Sequence, residues 1–449
     1  MGENRYFIAI AGAAGAGKTT VSEIIKDRGF HVVFTDQNVR EALNSLPVIK
    51  ELEKYIGSGI FENGKLNFKK ISAYFEDHYE DECRFEEWFQ PYYGKQIIEQ
   101  LNQTKEKIVF VDIPLLFYKR IEEYFYSIWW LDSDFLVENI RNRNHYNDRK
   151  ILNLIQFSSK NKRMPNCCVI QNNSSIEELK TKIDKEIEKL MEEITFSEVV
   201  NDVLLALNEK TKIAFQHVIC PDIIVGLNGE FWFDKQSRIE HQDQLKIKAK
   251  TESEKTIVVI LESPHVDEFQ DSKISPNPAL RTTGNNLQKY FTNKSLHNLL
   301  GKNFSKRYRV ILMNSIQYQC SLGLDTKKYR DHIWISCWYK FGRESFKKRL
   351  ASYKPDVIIN LCTKGNHSEE PGLPSDCNKY NIDKKYLHYC YKNSFDEQLE
   401  LKKLKEITLQ NIVSACIRTT FNNSIILYEG THPCSWRANF DSIHIKNDD

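Results

Sequence analysis

Residues 12–19 read Gly-Ala-Ala-Gly-Ala-Gly-Lys-Thr, and directly before them stands the apolar run Tyr6-Phe-Ile-Ala-Ile-Ala11. This is a complete G-x-x-x-x-G-K-[ST] phosphate loop in its required context. A buried strand feeds a glycine-rich turn, and Thr19-Thr-Val-Ser-Glu-Ile-Ile25 opens a helix. In that arrangement backbone N–H groups and the positive end of the helix face a nucleotide's phosphates. Gly12, Gly15 and Gly17 let the backbone close around the ligand, with Lys18, Thr19 and Thr20 at the helix start. Lys18 reaches the β/γ-phosphates and the Thr19 hydroxyl binds Mg²⁺, so ATP and Mg²⁺ are the expected cofactors.

Two more strands follow the same rule. Phe30-His-Val-Val-Phe34 leads to Asp36, and Lys107-Ile-Val-Phe-Val-Asp-Ile-Pro114 carries Asp112 near its end. Ligands of parallel α/β sheets gather at the carboxyl ends of strands, so Lys18, Asp36 and Asp112 are expected to converge there. One carboxylate takes a proton from, or positions, the acceptor hydroxyl; Asp112 is also assigned to the metal's water shell. The same acids also suit helix caps or turns, a reading that weighs more on Asp36 than on Asp112.

The run Val111-Asp-Ile-Pro-Leu-Leu-Phe117 resembles the signature of dephospho-coenzyme A kinases. Other segments follow that family in order: Val33-Phe-Thr-Asp36 with Arg40, Gly64-Lys-Leu66, Gln156 with Lys162 and Arg163, and Val169-Ile-Gln-Asn-Asn173. The resemblance implies a P-loop kinase with a helical lid, Asp36 as catalytic base and Arg40 at the acceptor. Lid cations that stabilise transferred charge would be Arg141, Lys162 and Arg163. Departures cluster on the acceptor side. The family's first acid is Phe34 here, its His-Pro pair is Gln90-Pro91, and its Ala-Asp is Asn166-Cys167. A nucleotide or nucleoside acceptor is therefore as suitable as dephospho-coenzyme A. Ser175-x-x-Glu178, a capping box, starts a closing helix with Leu179, Ile183, Ile187 and Leu190 at helical spacing.

At 449 residues the chain is too long for one ordinary core. The expected division is a kinase-like domain over 1–194, a bridging segment over 195–250 and a second α/β domain over 251–449. In the bridge, Asn228-Gly229 between Ile223-Ile-Val-Gly-Leu and Glu230-Phe-Trp-Phe marks a hairpin. Beyond it, four apolar strands end in polar residues. Thr256–Leu261 runs into Glu262-Ser-Pro-His265, and Arg309–Met313 into Asn314. Asp356–Leu361 runs into Cys-Thr-Lys-Gly365, and Ser424–Tyr428 into Glu-Gly-Thr-His432-Pro-Cys-Ser435. Such a set describes a parallel sheet with one composite site. A carboxylate, an amide and a histidine suit hydrolysis of an N-glycosidic bond.

The order of these motifs resembles the uracil-DNA glycosylase superfamily. That resemblance implies a three-layer α/β/α domain and base hydrolysis from DNA or a nucleotide. Glu262 becomes the catalytic carboxylate and His432 its electrophilic partner. Ser263, His265, Gly284 (in Thr283-Gly-Asn-Asn-Leu287), Asn314 and Ser435 become substrate-binding residues. Aromatics near Trp334, Trp338, Tyr339 and Phe341 suit core packing better than base stacking.

Residues 1–195 carry 27 Lys+Arg against 31 Asp+Glu, and the remainder 36 against 30. The mildly basic second half is compatible with nucleic acid without demanding it. No apolar run approaches the ~20 residues of a membrane span, and the chain enters a strand with no signal peptide. Eleven cysteines without a C-x-x-C read as reduced thiols in a cytoplasmic protein, with no zinc or iron–sulfur site. The expected protein is thus a kinase joined to a base-handling hydrolase, fit for prokaryotic antiviral defence, with self-association left open. Two readings compete with it: a glycosylase gated by nucleotide binding, and a nucleotide or DNA sensor without chemistry.

Overall fold

The computed structural model describes residues 5–13, 15–35, 42–62, 65–113, 116, 121–135, 167–206, 218–248, 254–270, 276–301, 307–321, 329–365, 408–422, 424–436 and 444–445. Asp36, Arg40, Arg141, Lys162 and Arg163 lie outside the described residues. The chain divides into two compact units, Met1–Glu188 and Lys189–Asp449.

In the first unit, strands β1 (Tyr6–Gly12), β2 (His31–Phe34), β5 (Ile108–Asp112), β6 (Ser127–Asp132) and β7 (Cys167–Gln171) form one sheet in the order β2-β5-β1-β6-β7. A separate two-stranded ribbon pairs β3 (Phe61–Glu62) with β4 (Lys65–Leu66). Every pairing in the large sheet is parallel. Parallel strands are covered on both faces, which is why their sequences are continuously apolar rather than alternating. Ile8, Ala9 and Ile10 of β1 are fully buried, as are Val109, Phe110 and Val111 of β5. The parallel P-loop sheet expected from residues 6–19 is present. Strand β6 was not anticipated, although Ile-Trp-Trp-Leu inside it is as apolar as the strands that were.

The helix Tyr79–Gln103 tolerates an internal Pro91 and stacks Phe85, Phe89 and Tyr93 ring on ring, with Phe75 of the helix Phe68–Asp77 stacked on Phe85. Tyr93 donates its hydroxyl to the Thr35 carbonyl, tying this helix to the end of β2. The closing helix, Ile176–Ala206, begins at the expected cap, where the Ser175 hydroxyl accepts from the Glu178 N–H at 3.3 Å.

Among the described residues the second unit carries one sheet of seven strands. They are β8 (Ile223–Leu227), β9 (Glu230–Phe231), β10 (Lys255–Leu261), β11 (Tyr308–Asn314), β12 (Val357–Asn360), β13 (Ile426–Glu429) and β14 (His444–Ile445), in the order β14-β13-β12-β10-β11-β8-β9. The four central strands, β11-β10-β12-β13, are mutually parallel, matching the four apolar runs read from the sequence. Residues 195–250 contribute to this sheet: β8 pairs antiparallel with β11, and β8 turns into β9 through Asn228 and Gly229 at φ 51° and 102°. Positive φ at both turn positions is what a two-residue hairpin requires. Phe196, Val199, Val200 and Val203 join the same core. Among the described residues no helix is long and apolar enough to cross a membrane.

Candidate functional site

In the first unit the loop after β1 turns on glycines at positive φ: Gly12 at 147°, Gly15 at 78° and Gly17 at 93°. A Cβ on Gly12 would stand 2.5 Å from the Leu131 carbonyl oxygen, and one on Gly17 would collide with the Asn172 side chain. Neither position accepts a side chain, so the backbone itself forms the wall. Asn172 holds the loop from outside, donating to the Ala16 carbonyl at 2.9 Å.

Helix Lys18–Asp27 then starts with no side-chain cap on Gly17. The first N–H groups of a helix lack intrahelical partners, and Gly17, having no side chain, supplies no cap at the N-cap position. The Lys18 ammonium donates to the carbonyls of Gly12 and Ala13 at 3.2 and 3.1 Å, so its stem already curls over the loop. Thr19 and Thr20 are exposed. Asp112 ends β5 in register with Ile10, 7% exposed, and accepts from the Ser22 hydroxyl at 3.1 Å. Its backbone carbonyl accepts from the Thr35 hydroxyl at 2.9 Å. Lys18 and Asp112 thus stand at the carboxyl ends of adjacent strands. Glycines with no room for Cβ, helix N–H groups without a side-chain cap and an ammonium over the loop are the donor set that polyphosphate with Mg²⁺ requires.

In the same unit, Gln90 is buried, and its Nε2 donates to Glu86. Its Oε1 is buried with no hydrogen-bond partner. An amide thus replaces a histidine at that position of the resembled family.

The second unit contains a cavity of about 420 Å³ at the carboxyl ends of β10 and β13. Glu262, Ser263, His265 and His432 line it. Glu262 is 6% exposed; its Oε2 lies 3.3 Å from His432 Nε2 and accepts from the Thr363 N–H at 3.4 Å. Arg330 Nη1 lies 3.8 Å from the other carboxylate oxygen. The Glu262 carbonyl accepts from the Ser315 hydroxyl at 2.7 Å and the Trp334 indole at 2.9 Å, which fixes the strand end. Trp334 and Trp338 are buried, as their core reading requires.

Three other expected residues are not in the cavity wall. Asn314 ends β11, and its buried Nδ2 has no hydrogen-bond partner. Gly284 packs against the carbonyls of Ala279 and Phe233, where a Cβ would collide. Ser435 donates its hydroxyl to the His432 carbonyl at 2.7 Å.

Several residues that sequence reasoning passed over do line the cavity: Glu268, Arg281, Ser321, Arg330, Thr363 and Cys434. Cys434 stood inside a quoted motif, His-Pro-Cys-Ser, and that was its only signal. Burial pushes the Glu268 carboxyl up to about 8, outweighing the buried Arg238 guanidinium nearby. Arg238 in turn donates to the carbonyls of Trp232, Pro278 and Ala279, clamping the cavity's rim.

A dephospho-CoA kinase family model matches residues 6–178. The chain is 30% identical over 195 residues to the dephospho-CoA kinase of Streptococcus thermophilus, covering 41% of this chain and 97% of that one. It is 28% identical over 191 residues to the Bartonella quintana enzyme, again covering 41% and 97%. Among solved structures, TT1252 from Thermus thermophilus is similar at 22% identity and a TM-score of 0.34, covering 41% of this chain and 97% of that one. Through residues 6–178 the chain belongs to the dephospho-CoA kinase family.

Proposed function

We propose that the first unit transfers the terminal phosphoryl group of ATP to a hydroxyl of a nucleotide-like or dephospho-coenzyme A-like acceptor. The observation that carries this reading is the glycine loop at positive φ feeding the uncapped helix at Lys18. Loop N–H groups and Lys18 would hold the phosphates; the Thr19 hydroxyl would ligate Mg²⁺, with Asp112 ordering its water shell. Mg²⁺ would supply neutralisation of the phosphate charge. Asp36 would take the acceptor's proton, and Arg141, Lys162 and Arg163 would face the transferred charge. Gln90, with an acceptor atom unpaired in the interior, supports an acceptor that donates a hydrogen bond there. The test is mass spectrometry of Mg²⁺-ATP incubated with dephospho-coenzyme A, nucleosides and nucleotides. One phosphorylated product is expected, with Lys18→Ala reducing its rate by about 100-fold or more. Absence of any product and of ATP hydrolysis overturns the reading.

A second reading is favoured by the Glu262–His432 pair at 3.3 Å inside the cavity. We propose that this unit hydrolyses the bond between a base and its sugar, Glu262 orienting water and His432 donating to the departing base. Base release from DNA or nucleotides is measured by chromatography. Glu262→Gln is expected to abolish it while ATP turnover continues; unchanged release sinks the assignment.

A further inference from the structure

Cys434 is, among the described residues, the one exposed cysteine, and its sulfur is not isolated. Sγ lies 3.0 Å from His432 Nδ1, and the Cys434 backbone N–H donates to the same nitrogen at 3.3 Å. With Nδ1 accepting, the imidazole carries its proton on Nε2, the atom 3.3 Å from Glu262. Thiol, imidazole and carboxylate therefore form a chain in the order that activates a nucleophile: the base touches the sulfur, and a third group orients the base. The hydrogen bond to His432 holds the Cys434 thiol below its ordinary value, burial opposing. Burial works against the charged form of His432, but Glu262 and Cys434 outweigh it and raise its pKa.

The same cavity presents donors that have nothing to donate to. Ser321 is 3% exposed, lines the wall, and its hydroxyl has no hydrogen-bond partner. Arg330, also in the wall, uses Nε on Asp331 at 2.9 Å, whereas its buried Nη2 has no partner. Buried donors left over beside a nucleophile match an oxygen that gains negative charge during reaction.

We infer that Cys434, His432 and Glu262 form a thiol-nucleophile site for an ester or thioester, with Arg330 and Ser321 receiving the carbonyl oxygen. His432 Nδ1 takes the thiol proton as Sγ forms a bond to the carbonyl carbon, and the C=O electron pair moves to oxygen. Collapse of that adduct breaks the bond to the leaving alkoxide or thiolate, which departs with the proton from Nδ1. Water then adds to the Cys434 thioester, Nδ1 accepting its proton and returning it to sulfur, and the free acid leaves. This activity goes beyond base release and does not rest on it.

The test uses the full-length chain with p-nitrophenyl acetate and, separately, iodoacetamide, read by peptide mass spectrometry. An acetyl group on Cys434 is expected, with a burst of nitrophenol. Alkylation of Cys434 at pH 7 should outpace that of the half-buried Cys83 by at least about tenfold. His432→Ala should return the alkylation rate and its pH midpoint to those of an ordinary thiol. The groups facing the pair that shape this profile are Glu262, Arg330, His265, Asp267, Glu268 and Arg281. No acetyl group on wild-type Cys434, with alkylation as slow as at Cys83, overturns the inference. Base release assayed in parallel separates the two readings: release without acylation discards only the thiol site, and acylation without release discards only the glycosidic one.

Discussion

Gly12 sits where its neighbour across the sheet leaves no space: β1 pairs with β6, and the Leu131 carbonyl occupies the place of a Cβ. Gly12→Ala must both adopt φ near 147° and push that strand away. A loss of about 2–3 kcal/mol of stability is expected, with nucleotide affinity falling alongside, measured by denaturant unfolding and titration with ATP. Glu268 offers a second test, of opposite kind. Its carboxyl stays protonated in the fold up to about 8, whereas the unfolded chain releases the proton near 4.5. Between those values the unfolded state binds fewer protons, so stability falls as pH rises, by about 1.4 kcal/mol per pH unit for this group. Glu268→Gln should flatten that slope in melting curves collected from pH 5 to 8; an unaltered slope refutes the assignment. Residues of this kind were unevenly legible. Lys18 announces itself because phosphate binding demands a fixed local spacing. Cys434, Ser321 and Arg330 come from separate segments, and only the fold makes them neighbours.

At the level of elements, the second unit's sheet depends on a stretch that the sequence left without a role. Asp222, just before β8, accepts from Arg349 at 2.6 Å and from the Tyr353 hydroxyl at 2.7 Å. Burial, then Asp222, pushes the Tyr353 phenol upward, while Arg349 also donates to the carbonyls of Asn314 and Ser315. Asp222 thus fastens the helix Arg343–Ser352 and its C-terminal flank to the start of β8, and Arg349 fastens the same helix to the end of β11. Asp222→Ala leaves a guanidinium in a dry setting, and a loss of about 3–5 kcal/mol is expected in urea unfolding. The hairpin at Asn228-Gly229 could be read because its turn chemistry is local. The pairing of β8 with β11 could not, since an antiparallel partner more than eighty residues away leaves no periodic trace. Strand β6 escaped for a related reason: its apolar run carries no polar residue of obvious chemical use until Asp132.

For the whole molecule, two compact units with separate cores predict separate responses to ligand. Mg²⁺-ATP at about 100 times its dissociation constant adds roughly 2.7 kcal/mol to whichever unit binds it. Calorimetry should show one transition moving upward, and Lys18→Ala should abolish that shift. A concerted shift of all unfolding heat would contradict independent cores.

Strand β9 is two residues long, runs antiparallel to β8 and forms one rim of the second unit's sheet among the described residues. So brief an outer strand offers few free amide and carbonyl groups to a stray segment, a protection that sheet proteins need against fibril growth. Crowded chains of this protein are therefore expected to resist strand-to-strand templating at that rim. Extending β9 beyond Phe231 into a longer paired strand would hand that rim a template.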